Sequence, residues 1–414
     1  MHHRVVTQTL LPTGLAFRAL ADDELRGAND LFRAALHEEP GSDEAWAIMK
    51  DVYVADRTFG AFDEQRQVGT ATSLASSLTV PGGEILPMAA VTYVGVRADY
   101  RRRGALSGMM RLQLADLAAR GEVFAALHAS EPGIYGRFGY GVATLARILT
   151  VSSRRAELRA DVPVAGTVRQ LDKDEIVPAL QAAYPTLQPT RAGLMGRSPR
   201  WWRLAYERRL AAGHLVVAAH HDSAGAVDGW VAYRAEEDNS NDPRSNGSLQ
   251  VLDFQALNQG VANDLWRYLV GVDLVDNVIA YFRPTDDPIE AMLRDAYAVR
   301  SERDDELWVR IVDVPAALAA RTYGDASPVV IEVVDPLLPN NSGRYRVSPH
   351  GTERTGDPAD LTVDVEVLAM LYLGAWQAST LAGIGRVTVT DPAALPAADR
   401  LFAVDQPAWN GSLF

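Results

Sequence analysis

The chain of 414 residues contains no cysteine. Disulfides, thiolate metal sites and a cysteine acyl-enzyme are excluded, and a reducing, cytoplasmic setting is expected. Lysine is scarce as well. Of 40 basic residues, all but Lys50 and Lys173 are arginine, a bias of the genome rather than a sign of function. No apolar run reaches the roughly 18 residues a membrane helix needs, so no membrane span is expected. The first ten residues, MHHRVVTQTL, lack a signal-peptide core; His2 and His3 are either native or a tag remnant. Positive charge is in deficit, with a net charge of −13. That argues against nucleic acid as a partner and favours cationic substrates, whose local concentration an acidic surface raises. Neither GxxxxGK[ST] nor GxGxxG occurs, and no metal site is expected.

What is present centres on residues 91–141. An apolar strand, Val91 to Val96, leads through a polar turn into Arg101-Arg102-Arg103-Gly104. A helix follows, with Leu106, Met109, Met110, Leu114 and Leu117 on one face and Gly121 at its C-terminal cap. A second apolar strand runs from Val123 to Leu127. Strand, basic loop, helix, strand is a crossover unit that pairs its strands in parallel. The helix N-terminus offers unpaired N–H groups and partial positive charge, which suit a phosphate. In an acidic chain the RRRG step is a local anion site.

The R-x-x-G step between strand and helix resembles the acetyl-CoA site of GNAT acetyltransferases. LTVPGGEILPMAAVTYVGV before the loop and ALHASEPGIYGRFGYG after it resemble the Eis family of N-acetyltransferases, the enhanced intracellular survival proteins. So do WVRIVDVPAALAARTY at 308–323 and YLGAWQASTLAG at 372–383, in matching order. One departure is Leu106, where the family usually has Gly or Ala.

At this length two or three domains are expected. Strands at 14–20, 58–62, 68–80 and 84–96 surround helices at 22–37 and 42–53, and Leu145 to Ser152 is expected to close the first sheet. From Val168 a similar order repeats: helices at 174–183 and around Trp201-Trp202, strands at 214–221, 230–233, 249–256 and 278–282, and a helix at 261–270. The link Ala235 to Gly247 is acidic and Asn-rich, a loop. From Trp308 a β-rich segment follows, with a short helix expected over Pro315 to Tyr323 and a single longer one over Val367 to Leu381. The tail DQPAWNGSLF is apolar enough to dock, since exposing Trp409 and Phe414 would forgo about 1.5–3 kcal/mol each. The resemblance implies an α/β protein of mixed α+β layout. Residues 1–153 form a GNAT domain binding acetyl-CoA, 165–300 a second, degenerate GNAT-like domain, and 305–414 a sterol-carrier-protein-like domain.

The resemblance also assigns residues. Val94, Gly95 and Val96 lie on the strand that offers backbone groups to the acetyl-pantetheine arm. Arg102, Arg103, Gly104, Ala105, Leu106 and Ser107 match the pyrophosphate loop, and Ser130 and Glu131 a second cofactor contact. Tyr135 matches the general acid; on chemistry alone Tyr140 is an equal candidate. The α-carboxylate of Phe414 is the implied base. Trp46, Tyr93, Asp287 and Tyr323 match the amine pocket, although Leu413 stands where an acidic residue could have held a cation. Acetyl-CoA is then the co-substrate, a polycationic amine such as an aminoglycoside the acceptor, and a homo-hexamer the assembly. Two other readings stand beside this one: acetylation of protein lysines, and a non-enzymatic acyl-CoA or lipid binder.

Overall fold

Apolar-polar alternation along the chain builds three sheets, seen in a computed structural model that describes residues 14–213, 215–237 and 246–414. The expectations for His2, His3 and the N-terminal stretch fall outside those residues, as do His214 and the centre of the 235–247 link.

The first part of the chain runs β1 (Ala16–Ala19), α1 (Leu25–Ala35), α2 (Asp43–Met49), β2 (Thr58–Asp63), β3 (Arg66–Thr79), β4 (Ile85–Val96), α3 (Ala105–Ala119), β5 (Phe124–Leu127), β6 (Gly141–Val142) and β7 (Leu145–Ser152). Next come β8 (Thr167–Gln170), α4 (Lys173–Leu187), α5 (Pro199–Trp202), a π-helical turn at Arg203–Glu207, and α6 (Arg208–Ala211). The second half of the sequence's repeat is β9 (Val216–His221), β10 (Val227–Glu236), β11 (Ser248–Ala256), α7 (Gln259–Val270), β12 (Asn277–Pro284), α8 (Ile289–Met292), β13 (Val299–Asp305) and β14 (Trp308–Ile311). The last part is α9 (Val314–Ala320), β15 (Val329–Val334), β16 (Gly343–Ser348), β17 (Gly351–Arg354), β18 (Leu361–Asp364), α10 (Val365–Tyr372), α11 (Ala378–Gly383), β19 (Thr388–Val389) and α12 (Ala394–Phe402).

The first sheet has the order β1-β2-β3-β4-β5-β14-β6. The second has β13-β7-β12-β11-β10-β9-β8, and the third β17-β16-β15-β18-β19. In each of the first two, one parallel pair stands among antiparallel ones: β4 with β5 across α3, and β11 with β12 across α7. α3 buries Met109, Met110, Leu114 and Leu117. It can lie close to β1 because residue 108 is glycine; a Cβ there would meet the Phe17 ring at 2.2 Å.

Two strands change sheets. β7, expected to close the first sheet, lies in the second, between β12 and β13. β14, expected to open the third domain, lies in the first, between β5 and β6. The chain thus leaves the first sheet after β6 and re-enters it at β14. The two crossings lie side by side, with the Ala143 and Thr144 N–H groups donating to the Leu307 carbonyl. Sequence borders at 153 and 305 therefore do not follow the sheets. The physical reason is that β14, WVRI, is buried throughout and satisfies the far edge of the short strand β5. The single helix expected over 367–381 is two, α10 and α11, because the chain turns at Gly374 with φ +79°. β13 carries no periodic signal: its side chains are mostly exposed.

Candidate active site

β4 and β5 pair only from Met88↔Phe124 to Ala90↔Ala126. Beyond that point they part. Tyr93 has φ +51°, and the β3 register slips between Thr70 and Thr72, so β4 carries a bulge. A bulge re-aims a strand and frees backbone groups beside a site. From the gap a cavity of about 1360 Å³ opens.

The N-terminus of α3 forms one end of this cavity. Gly104, its N-cap residue, has φ +85°, and Arg102 has φ +62°. Turns of this kind make backbone N–H concavities that hold anions, and left-handed arginine is an uncommon conformation. Arg101 and Arg102 line the cavity and form no ion pair among the described residues, whereas Arg97 is paired with Asp99 at 3.0 Å.

Of the predicted cofactor residues, Val94, Gly95, Val96, Arg102, Gly104, Ala105, Leu106, Ser107, Ser130 and Glu131 all line this one cavity. Arg103 does not; its guanidinium sits 4.9 Å over the Tyr100 ring. Gly95 has a packing reason as well, since a Cβ there would lie 3.2 Å from Phe32 and Ala35 of α1. Asp30, Leu31 and Phe32 of α1, and His37 just after it, also line the cavity. In the sequence, α1 shows itself only as an amphipathic helix.

Tyr135 is half-buried and lines the cavity. Burial, with the Glu131 carboxylate adding to it, pushes its pKa above the usual phenol value. Tyr140, 6.0 Å away between ring centres, is fully buried and off the cavity. The two candidates are thereby separated.

The chain end is held by a fixed route to a point beside His128, just past β5; Phe414 is not among the residues that line the cavity. The Trp409 N–H donates to Ala192 O, and Gln255 donates to Gly411 O at 3.1 Å. Arg197, fully buried and paired with Asp253, donates to Ser412 Oγ at 3.0 Å. Trp201 donates to Leu413 O at 3.0 Å, and His128 Nε2 lies 2.9 Å from Ser412 O. The Phe414 ring packs edge-on against His128, the residue after β5 and two before Ser130. Burial lowers the His128 pKa, so its imidazole is neutral and donates to Ser412. Sequence reasoning missed all of these tail partners; each is far away along the chain.

None of the four predicted amine-pocket residues lines the cavity. Tyr93 is buried in an aromatic stack, 4.9 Å from Tyr53 and 5.1 Å from Phe32, with half-buried Trp46 against Tyr53. Neither Tyr93 nor Trp46 lines the cavity. Asp287 is spent: buried, it pairs with Arg283 at 2.8 Å, accepts from Trp266 Nε1 and caps the Ile289 N–H. Tyr323, just past α9, donates to Leu318 O and packs against Phe402 of α12. The sequence contexts resembled a pocket, but burial and hydrogen bonding commit Asp287 and Tyr323 to structure.

Residues 16–143 match an acetyltransferase (GNAT) domain, 193–311 a second acetyltransferase (GNAT) domain, and 314–411 a sterol carrier protein domain. N-acetyltransferase Eis of Mycobacterium tuberculosis is 36% identical over 89% of this chain and 91% of that protein. The chain belongs to the Eis family of N-acetyltransferases. An uncharacterized N-acetyltransferase of Streptomyces coelicolor is 39% identical over 89% of this chain and 92% of its own length. The crystal structure of Eis1 from Mycobacterium abscessus superposes with a TM-score of 0.86 at 37% identity, over 97% of this chain and all of that one. An Eis-family chain is an acyltransferase acting on an amine, and the domains of its class draw on acetyl-CoA. The cavity has features that suit that donor: the N-terminus of α3, with Arg101 and Arg102 free of ion pairs among the described residues, and a strand gap beside it. No group of His, Asp or Glu suited to a metal ion occurs among the described residues, and no helix there is long and apolar enough to cross a membrane.

Proposed function

We propose that this chain transfers an acetyl group from acetyl-CoA to a primary amine of a polycationic small molecule, with aminoglycosides as the test class. The observation that carries the reading is the layout of the site. The N-terminus of α3 and Tyr135 line one cavity beside the gap between β4 and β5, and the chain end docks against His128, the residue that follows β5.

Arg102 and the N–H groups of Gly104 to Ser107 would hold the pyrophosphate, and the freed backbone at Val94 to Val96 the pantetheine arm. Acetyl-CoA, when bound, supplies a thioester carbonyl as electrophile. The amine nitrogen attacks that carbonyl carbon. A C–N bond forms, the C–S bond breaks, and an ammonium proton must leave. The Phe414 α-carboxylate takes that proton, directly or through water. Tyr135 donates its own proton to the departing sulfur and recovers one from solvent. The raised pKa keeps the Tyr135 phenol protonated at neutral pH and makes it a weaker acid toward the thiolate. The chain's net charge of −13 favours a cationic acceptor, whose local concentration an acidic surface raises. A hexamer and a cytoplasmic setting belong to the same reading.

The test is thiol release from acetyl-CoA with kanamycin, comparing the native chain with one extended by several residues beyond Phe414. Turnover by the native chain alone supports the reading. Equal turnover by both removes Phe414 as base and keeps the enzyme class. Silence from both across a panel of amines rejects small-molecule acetyl transfer; turnover with lysine-containing proteins alone redirects the acceptor to protein.

A further inference from the structure

Glu306 lies where the chain crosses from β13 back to β14. It is 1% exposed. No ion pair neutralises it among the described residues, so a buried carboxylate must be satisfied by hydrogen bonds alone. Three donors do this. Thr144 Oγ1, at the other crossing, donates to Oε2 at 2.8 Å. The Asn410 N–H donates to Oε2 at 3.0 Å, and the Gly411 N–H to Oε1 at 2.7 Å. Were the carboxylate there only to tie the two crossings, Thr144 would suffice. Two of its three donors come instead from the last five residues of the chain.

The geometry points to Glu306 as a positioning residue for the C-terminal carboxylate, acting through the tail backbone. The inference rests on the reading that this carboxylate is the base. From the Gly411 N–H to the chain end is three residues, a reach of at most about 10 Å. Anchoring that N–H therefore confines the terminus to a small volume, and Arg197 and Trp201 fix the remaining residues. The same tail lies against the second domain's own strand gap. β11 and β12 pair only from Ser248↔Asn277 to Val251↔Ala280. Beyond that point, Asp253 holds Arg197, Gln255 binds Gly411, and Phe282 O accepts from Trp409 Nε1 at 2.5 Å. Where the first domain's gap opens into a cavity, the second's has become a socket for the chain end, and Glu306 sits at the junction of the two.

Glu306→Gln puts an amide N–H₂ where one of the three donors needs an acceptor. Gly411→Ala attacks the same contact from the tail: φ is +58°, and a Cβ would come within 2.2 Å of the Trp409 ring. Both variants are compared with the native chain and with one ending at Ser412. Turnover is normalised to acetyl-CoA binding sites counted by calorimetry. The expected result is a fall in kcat of roughly 10²-fold with the KM for acetyl-CoA unchanged. The kcat–pH profile should change shape to match that of the Ser412-ended chain, and carboxypeptidase should release Phe414 faster. A structural defect alone would scale the native profile without reshaping it, and that outcome overturns the inference. So does native kcat with native resistance to carboxypeptidase, in a folded Glu306→Gln chain or, should that variant not fold, in Gly411→Ala. If the Ser412-ended chain keeps native kcat and profile, the tail is not the base; the underlying reading fails and takes this inference with it.

Discussion

The ring of Phe414 stands 4.9 Å from that of His128, inclined at 64°. That contact ties the last residue of the chain to the end of β5. Burial keeps His128 neutral, and its Nε2 proton is donated to the Ser412 carbonyl, so that nitrogen has no lone pair to offer as a base. His128→Phe keeps the ring contact and loses one hydrogen bond, worth about 1 kcal/mol. It is expected to lower kcat by less than about tenfold. Removing Phe414 is expected to cost about 10²-fold or more, the scale of a lost general base. Steady-state kinetics of the two variants separates an imidazole base from a terminal one; equal losses would favour the imidazole.

Tyr135 and Tyr140 make a second pair of opposites. Tyr135→Phe is expected to lower kcat by roughly 10²-fold, while Tyr140→Phe, away from the cavity, leaves it within a few fold. The pH dependence has a definite sign. The Tyr135 pKa lies above the ordinary phenol value of 10.0. Its proton is therefore retained throughout the neutral and mildly alkaline range, and no falling limb of kcat from this group is expected below about pH 10. A falling limb near pH 8 that disappears in Tyr135→Phe would contradict the assignment.

Arg102 is left-handed, on the cavity wall and without an ion pair among the described residues. A charge-assisted bond to a phosphate is worth about 1.5–3 kcal/mol. Arg102→Ala is therefore expected to raise the KM for acetyl-CoA about tenfold or more, with kcat nearly constant, and to flatten the dependence of KM on salt. Arg103→Ala, which loses only a stacking contact on Tyr100, is expected to change KM by no more than about twofold.

These residues also mark how far the sequence can be read. The loop before α3 is legible because its signal is local: strand, RRRG and helix are contiguous, and Arg101, Arg102 and Gly104 line one cavity. The bulge at Tyr93 is not, since a left-handed tyrosine has no compositional sign. β7 and β14 are legible as strands but not as members of their sheets, because alternation reports a buried face and not the partner strand. Glu306 carries no sign of its role. Its meaning depends on Asn410 and Gly411, more than a hundred residues away, and on a crossing of two sheets. Asp287 errs in the other direction: an acidic loop, RPTDDP, reads the same whether its carboxylate faces solvent or Arg283.

Asp287 accordingly makes a prediction about stability. Its carboxylate and the Arg283 guanidinium are both buried, with Phe254, Trp266 and Trp409 around the arginine. Asp287→Asn leaves that guanidinium without its counter-charge, and breaking a buried pair in this way costs about 3–5 kcal/mol. Denaturant unfolding should show a loss of that order, while the KM for the amine, measured on the folded fraction, stays at the native value. A selective rise in the amine KM with little loss of stability would restore Asp287 to the substrate pocket.

Glu306 links stability to pH in a direction opposite to most carboxylates. Burial raises its pKa from the ordinary 4.5 to about 7, and the N–H groups of Asn410 and Gly411 only partly oppose that rise. In the unfolded chain the group ionises near its ordinary value. Between those two pKa values the folded protein holds a proton that the unfolded chain has lost, so stability falls as pH rises. The contribution is fully present below about pH 4.5 and is lost as pH climbs through about 7. Its full size is roughly 3 kcal/mol, since each pH unit between the two values is worth about 1.4 kcal/mol. Glu306→Gln cannot titrate. Plotted against pH from about 5 to 8, the native unfolding free energy is expected to decline relative to the variant, by up to that amount. The kinetics run the other way, because the ionised carboxylate is the better acceptor for the two tail N–H groups: the range in which Glu306 costs stability is the range in which it holds the chain end most firmly. Parallel pH–stability curves for the two proteins would show that Glu306 ionises normally and that its burial is relieved by contacts other than these three.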